Sequence, residues 1–231
     1  MKGILGRGRA ILPDAMTEPA AKIAHTFAEY LALEAPSPTK HEFVNGEIFA
    51  MAGGTPEHGR LSVNVQGELR NALRGRPCVV LNSDVRVRVR ATGLATYPDA
   101  SVVCGRIEVD PEDKNSVTNP VVLVEVLSDS TEAYDRDEKR AHYRQLGSLR
   151  DYLLVSPHER RIEHYHRNDD DTWTLRDARA GGEVHLEALS CQIAVDAVYD
   201  DPLATVAAPG APRVAASAAP RAKRGTRSKR G

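Results

Sequence analysis

PVVLVEVL, residues 120–127, is apolar on both alternating faces, the pattern of a strand in the middle of a sheet covered on both sides. Glu125 breaks it. Its strand face is otherwise Val121, Leu123 and Leu127, where an isolated ionised carboxylate would cost several kcal/mol. A partner is required, either a buried lysine or arginine or a metal ion, and the strand alone leaves both open.

Working outward, a helix is expected from about Asp135 to Leu146, closed by Gly147 in a left-handed cap. DYLLVSP then returns as a strand, so the helix is a crossover. RIEHYHR, TWTLRDA, EVHLEAL and CQIAV read as shorter antiparallel strands with polar turns. Upstream lie three strands, CVVLN, VRVRVR and YPDASVVC. In the second, Val85, Val87 and Val89 share one face and Arg86, Arg88 and Arg90 the other, which predicts one wet side. Earlier still, Thr55 as N-cap and Pro56 at the first position open a helix with Leu61, Val65, Leu69 and Ala72 along one stripe. HEFVNGEIFAM is a hairpin turning at Asn45-Gly46. His25 to Glu34 is a short entry helix stopped by Pro36 and Pro38. The fold class is therefore α/β: a mixed sheet flanked by helices, with an N-terminal hairpin and short C-terminal antiparallel strands.

The 231 residues allow one domain with loose ends, read as a flexible segment 1–24, a folded unit 25–200 and an Ala/Pro-rich basic tail 201–231. With 41% hydrophobic and 27% charged residues the composition is that of a globular protein. No run approaches the roughly 20 apolar residues of a membrane span, and arginines interrupt the first apolar stretch, so a cytoplasmic address is expected. Cys78, Cys104 and Cys191 have no Cys-x-x-Cys spacing and read as small buried hydrophobes rather than a disulfide framework or a thiolate zinc site. Seven of the 31 basic residues lie after Asp201, leaving 24 against 32 acids in the remainder. So acidic a body would need cations or a local basic surface to hold a phosphate backbone.

Asp99 follows Pro98 where YPDASVVC enters the sheet. It is either a turn residue or a second acid converging on Glu125. Two such carboxylates make an oxygen site suited to Mg²⁺ or Mn²⁺, which keep waters and bind phosphate oxygens. Asp135, Lys139, Tyr143 and Leu146 share one helix face leaning back toward the end of the Glu125 strand. Lys139 can thus bring a cation to the site, or else form an exposed pair with Asp135.

HEFVNGEIFAMAGGTPEHGRLSVNV, YPDASVVC, VVLVEVLSDST and DRDEKRAHYRQLGSLRDYLLV, in that order, resemble the Uma family of restriction endonucleases, a branch of the PD-(D/E)XK nuclease superfamily. The resemblance runs from about Phe27 to Val195. It implies a restriction-endonuclease-like mixed sheet and a divalent-metal phosphodiesterase centre. Pro98-Asp99 matches the PD element and Glu125 the second acid; Asp99 and Glu125 would be the metal ligands. The superfamily's lysine two residues on would fall at Leu127, whereas Uma-like sequences carry it on the following helix, here Lys139. Glu42, Glu47 and His58 also match the family's residue types. Glu42 is preferred to Glu47 as an accessory acid because it shares a strand face with Val44. His58 either contacts a metal-bound water or phosphate or merely fills the first helical turn. Asp135 and Tyr143 complete the accessory set. Ser128 and Ser130 either cap the helix or hydrogen-bond a phosphate, capping being preferred, and the arginine row is read as a solvated face or a backbone track.

The expected activity is that of a Mg²⁺-dependent endodeoxyribonuclease acting on DNA, with a homodimer as a natural assembly for cutting both strands. The alternative is a non-catalytic nucleic-acid-binding or protein-interaction module retaining the fold. A Ser/His/Asp enzyme is disfavoured, since no Gly-x-Ser-x-Gly element occurs.

Overall fold

A computed structural model describes residues 24–204. The chain divides into two compact units, 1–199 and 200–231, and the first carries the architecture below. The N-terminal segment up to residue 23 and the basic tail from residue 205 lie outside the described residues.

Thr26 starts α1 (Phe27–Glu34): its hydroxyl accepts from the Glu29 N–H while the Glu29 carboxylate accepts from the Thr26 N–H, a reciprocal capping box. β1 (His41–Val44) and β2 (Glu47–Ala50) pair antiparallel with Val44 opposite Glu47. Asn45 and Gly46 between them have φ of 50° and 89°, the positive values a two-residue hairpin loop demands. The Thr55 hydroxyl caps α2 (Pro56–Ala72), accepting from the His58 N–H at 3.1 Å. Leu61, Val65 and Leu69 are fully buried along its stripe.

Then follow β3 (Cys78–Asn82), β4 (Arg86–Val89), β5 (Leu94–Thr96), β6 (Ala100–Cys104), β7 (Ser116–Val117) and β8 (Val122–Val126). A helical stretch comes next: α3 (Glu132–Tyr134), a π-helical turn (Asp135–Lys139) and α4 (Arg140–Tyr143). Among the described residues there follow β9 (Asp151–Val155), β10 (Arg161–Arg167), β11 (Trp173–Arg179), β12 (Glu183–Leu186), β13 (Cys191–Ala194) and α5 (Val195–Val198).

The strands form a six-stranded sheet, β11-β10-β9-β8-β6-β3, a five-stranded sheet, β2-β1-β5-β4-β7, and the hairpin β12-β13. β8 is central, antiparallel to β6 and parallel to β9. Its parallel neighbour is reached through the helical crossover. On one face Val122, Val124, Val126, Leu153 and Val155 pack against α2, β12, β13 and α5. On the other, Leu123, Leu127, Tyr152 and Leu154 meet Val44, Val87, Val89 and Leu94 of the second sheet. Truncating such a leucine to alanine costs about 2–5 kcal/mol. Glu125 belongs to this second face, so its carboxylate sits between two sheets.

Four expectations are corrected. The arginine face of VRVRVR is wet only at Arg90, whose side chain is 59% exposed; Arg86 and Arg88 are 7% and 8% exposed. β4 lies inside its sheet, and each buried guanidinium finds partners. Arg86 donates to Asp113 and to the Tyr97 hydroxyl, while Arg88 donates to the Gly93 carbonyl and stacks 3.8 Å over the Phe27 ring. Cys78 and Cys104 form a disulfide, because β3 and β6 pair with those two residues directly opposite. Their separation of 26 residues concealed the juxtaposition; Cys191 is free. Gly147 is not left-handed. The helix has already ended at Tyr143, and the chain leaves through successive three-residue turns, Tyr143 to Leu146 and Leu146 to Leu149. Ser128 and Ser130 do not cap. Their hydroxyls meet each other, Ser128 also meets the Thr131 hydroxyl, and Thr131 at the N-cap makes no side-chain cap bond.

Candidate active site

The Lys139 ammonium is surrounded by carboxylates from three separate elements. Glu42 of β1 lies at 2.9 Å, Glu125 of β8 at 3.1 Å and Asp135 at 3.3 Å. Lys139 and Asp135 both sit in the π-helical turn, which inserts an extra residue per turn and is a feature often found at functional sites. All four side chains are buried. Tyr143, one turn on, donates its hydroxyl to Glu125 Oε1 at 2.7 Å, and the Thr96 hydroxyl donates to Glu42. Tyr152 ties the turn itself, donating to the Asp135 carbonyl at 3.0 Å.

Burial would lower the Lys139 pKa, but Glu125, Glu42 and Asp135 outweigh it and hold the ammonium well above its ordinary range. The carboxylates are under the opposite pressure. Burial pushes Glu125 up to about 8 against the pull of Lys139, with Asp135 and Asp99 adding to the rise. Burial also raises Asp135, whose Oδ1 is within ion-pair reach of Lys139 but makes no geometrically sound hydrogen bond. One ammonium serves too many acids. This excess of negative charge, built from oxygen donors, is the chemistry that accepts a hard divalent cation.

Asp99 adjoins the cluster. Ala100 pairs with Val124, so Asp99 stands one residue before β6 at the position opposite Glu125, where directly facing side chains have Cβ atoms roughly 5 Å apart. Its Oδ2 accepts from the Val126 N–H at 2.8 Å and lies 3.4 Å from His58 Nε2. Asp99 and His58 are the more open rim, their side chains 15% and 24% exposed. The bond to Asp99 raises the His58 pKa in spite of partial burial.

The structure thus gathers Glu42, Glu125, Asp135, Lys139 and Tyr143 at one centre and places Asp99 and His58 beside it. Lys139 is no exposed helix-surface pair, and Glu125 has a lysine rather than an arginine for its partner. Glu47 and the arginine row do not join the group. Gly54 and Thr96 were missed. A Cβ at Gly54 would fall 2.8 Å from His58 Nδ1, and the GG pair before Thr55 was the available signal. Also missed was a group that could hold a metal ion, Asp151, His164 and His166, with donor atoms within 4.8 Å of one another. Its signal was HYH, two imidazoles on one strand face. Among the described residues no other group of three such side chains is so tight, and none of the helices is long and apolar enough to cross a membrane.

Residues 27–197 match the profile of a family described as "Uma2: Putative restriction endonuclease". This chain belongs to the Uma2 family. Two Synechocystis proteins described as uncharacterized, slr1290 and sll1609, are 40% and 34% identical to this Uma2 chain, over 174 and 150 residues. The matches cover 74% and 65% of it, and 89% and 85% of those proteins. A crystal structure from Anabaena variabilis, described as "a putative nuclease belonging to DUF820", superposes with a TM-score of 0.61 at 14% identity, covering 74% of this chain and 96% of that one. The Uma2 chain therefore has the mixed α/β architecture of a restriction-endonuclease-like nuclease.

Proposed function

We propose that this Uma2 protein is a Mg²⁺-dependent endodeoxyribonuclease whose metal ligands are Asp99 and Glu125 and whose charge-stabilising group is Lys139. The observation that supports the reading is the register of β6 and β8, in which Asp99, one residue before Ala100, falls opposite Glu125, itself 3.1 Å from the Lys139 ammonium. Two protein carboxylates are a normal complement for Mg²⁺ or Mn²⁺, the remaining positions going to water and phosphate oxygens. The donor set fits: oxygen only and more acids than cations, with burial raising the Glu125 pKa in the absence of an ion.

When bound, the ion polarises the phosphodiester and lowers the pKa of the attacking water. Tyr143 and Lys139 both engage Glu125 Oε1, which fixes the carboxylate that, with Asp99, would hold the ion. Lys139, kept charged by Glu42 and Asp135, offsets negative charge developing on the phosphate. Val126 N–H orients Asp99, and His58 guards its open side.

Plasmid DNA incubated with Mg²⁺ or Mn²⁺ is the test. Wild type should nick or linearise it, and Asp99→Ala and Glu125→Ala should abolish cleavage while keeping the fold by circular dichroism. Cleavage by both variants at the wild-type rate would overturn the assignment. Salt-sensitive DNA binding without turnover in wild type would favour the non-catalytic module instead.

A further inference from the structure

Asp151 opens β9, and β10 pairs with it so that His166 faces Asp151 directly and His164 lies two residues along. The three side chains therefore share one sheet face. It is the face opposite Glu125, since Val124 pairs with Leu153 and Glu125 with Leu154. Asp151, His164 and His166 are 0%, 2% and 8% exposed. His164 Nε2 and His166 Nδ1 each lie 2.7 Å from the same oxygen, Asp151 Oδ1. The other oxygen, Oδ2, is buried with no hydrogen-bond partner. A buried carboxylate oxygen left unsatisfied is costly, and this one belongs to the carboxylate on which both imidazoles converge.

We propose that Asp151, His164 and His166 form a structural site for a zinc-class divalent ion, distinct from the Asp99–Glu125 centre. Two imidazoles and a carboxylate are a donor set for a borderline ion such as Zn²⁺ rather than for Mg²⁺. The outer shell is present as well. His166 turns Nε2 toward Glu187 Oε2 at 3.3 Å, and Arg176 holds Glu187 at 2.7 Å. A ligating histidine characteristically has its second ring nitrogen backed by a carboxylate in this way. Glu187 also lines a surface pocket with Cys191 and Gln192. Burial leaves no room for a substrate, so the ion's work is to pin β9 to β10 and to take up the unpaired Oδ2.

The full-length protein, stripped of metal with a chelator and dialysed, is titrated with Zn²⁺ against a chromophoric competitor, and in parallel with Co²⁺, followed by its visible absorption. Wild type should take up one tightly held ion per chain that excess Mg²⁺ does not displace, and melt at a higher temperature with it. Asp151→Asn and His166→Gln should lose the ion, and Glu187→Ala, a change at a half-exposed side chain, should weaken binding about 10–100-fold while leaving the metal-free melting temperature in place. Asp99→Asn should bind Zn²⁺ as wild type does. Absence of stoichiometric uptake by wild type, or unaltered uptake by both His166→Gln and Glu187→Ala, would overturn the site and leave a hydrogen-bonded triad. Loss of uptake in Asp99→Asn alone would assign the ion to the other centre and would equally overturn it.

Discussion

Tyr143 donates its hydroxyl at 2.7 Å to the same Glu125 oxygen that the Lys139 ammonium approaches at 3.1 Å. The phenol and the ammonium come from one helical stretch, four residues apart, and clamp a carboxylate from the central strand. Tyr143→Phe removes one clamp without changing the packing. It should lower stability by about 1–3 kcal/mol, the range for leaving a buried acceptor short of a donor. Urea unfolding reads the loss, and cleavage should slow as Glu125 gains freedom.

Lys139→Met removes the cation shared by Glu42, Glu125 and Asp135. Breaking a buried charge network by deleting one partner typically costs 3–5 kcal/mol, so a loss of that order is expected in thermal or urea unfolding at neutral pH. Cleavage should also disappear. A variant as stable as wild type would show that the carboxylates are already neutral and that Lys139 does not hold them together.

Asp113 supplies a pH test away from the metal ligands. Burial would raise its pKa, but hydrogen bonds from Ser116, Arg86 and the Asn115 N–H hold it below the usual 3.8. A carboxyl depressed in the folded state stabilises above its unfolded pKa, and the contribution is lost as pH falls through the folded value. Asp113→Asn should therefore be less stable than wild type at neutral pH, with the gap closing only below about 3.8. A gap that stays constant down to the acid unfolding midpoint would contradict the ion pair with Arg86.

The Cys78–Cys104 bond closes a separation of 26 residues, for which loop-entropy arguments give roughly 3 kcal/mol. Reductant should lower the melting temperature of wild type. A Cys78→Ala/Cys104→Ala double variant should start lower and ignore reductant.

What could be read from the residues was whatever a local pattern controls. Asn45-Gly46, Thr55-Pro56 and the unbroken apolar run around Glu125 each settle their own geometry within a few residues. Glu125 could be singled out because a charge in such a run has no cheap solution. The misses with the largest consequences are effects of distant partners. Arg86 and Arg88 alternate like a wetted face, yet Asp113 and Phe27, far along the chain, together with the nearby Gly93 carbonyl, make their burial affordable. Cys78 and Cys104 meet only once β3 and β6 pair. The π-helical turn leaves no mark in a 3.6-residue periodicity, although it is where Lys139 and Asp135 turn inward together.

Mn²⁺ binding followed by electron paramagnetic resonance, on wild type, Asp99→Asn and Glu125→Gln, bears most directly on the centre. One bound Mn²⁺ per chain in wild type, displaced by Mg²⁺ and absent from both variants, is the expected result. Tight Mn²⁺ binding that survives both substitutions would contradict a cation shared by these two facing carboxylates.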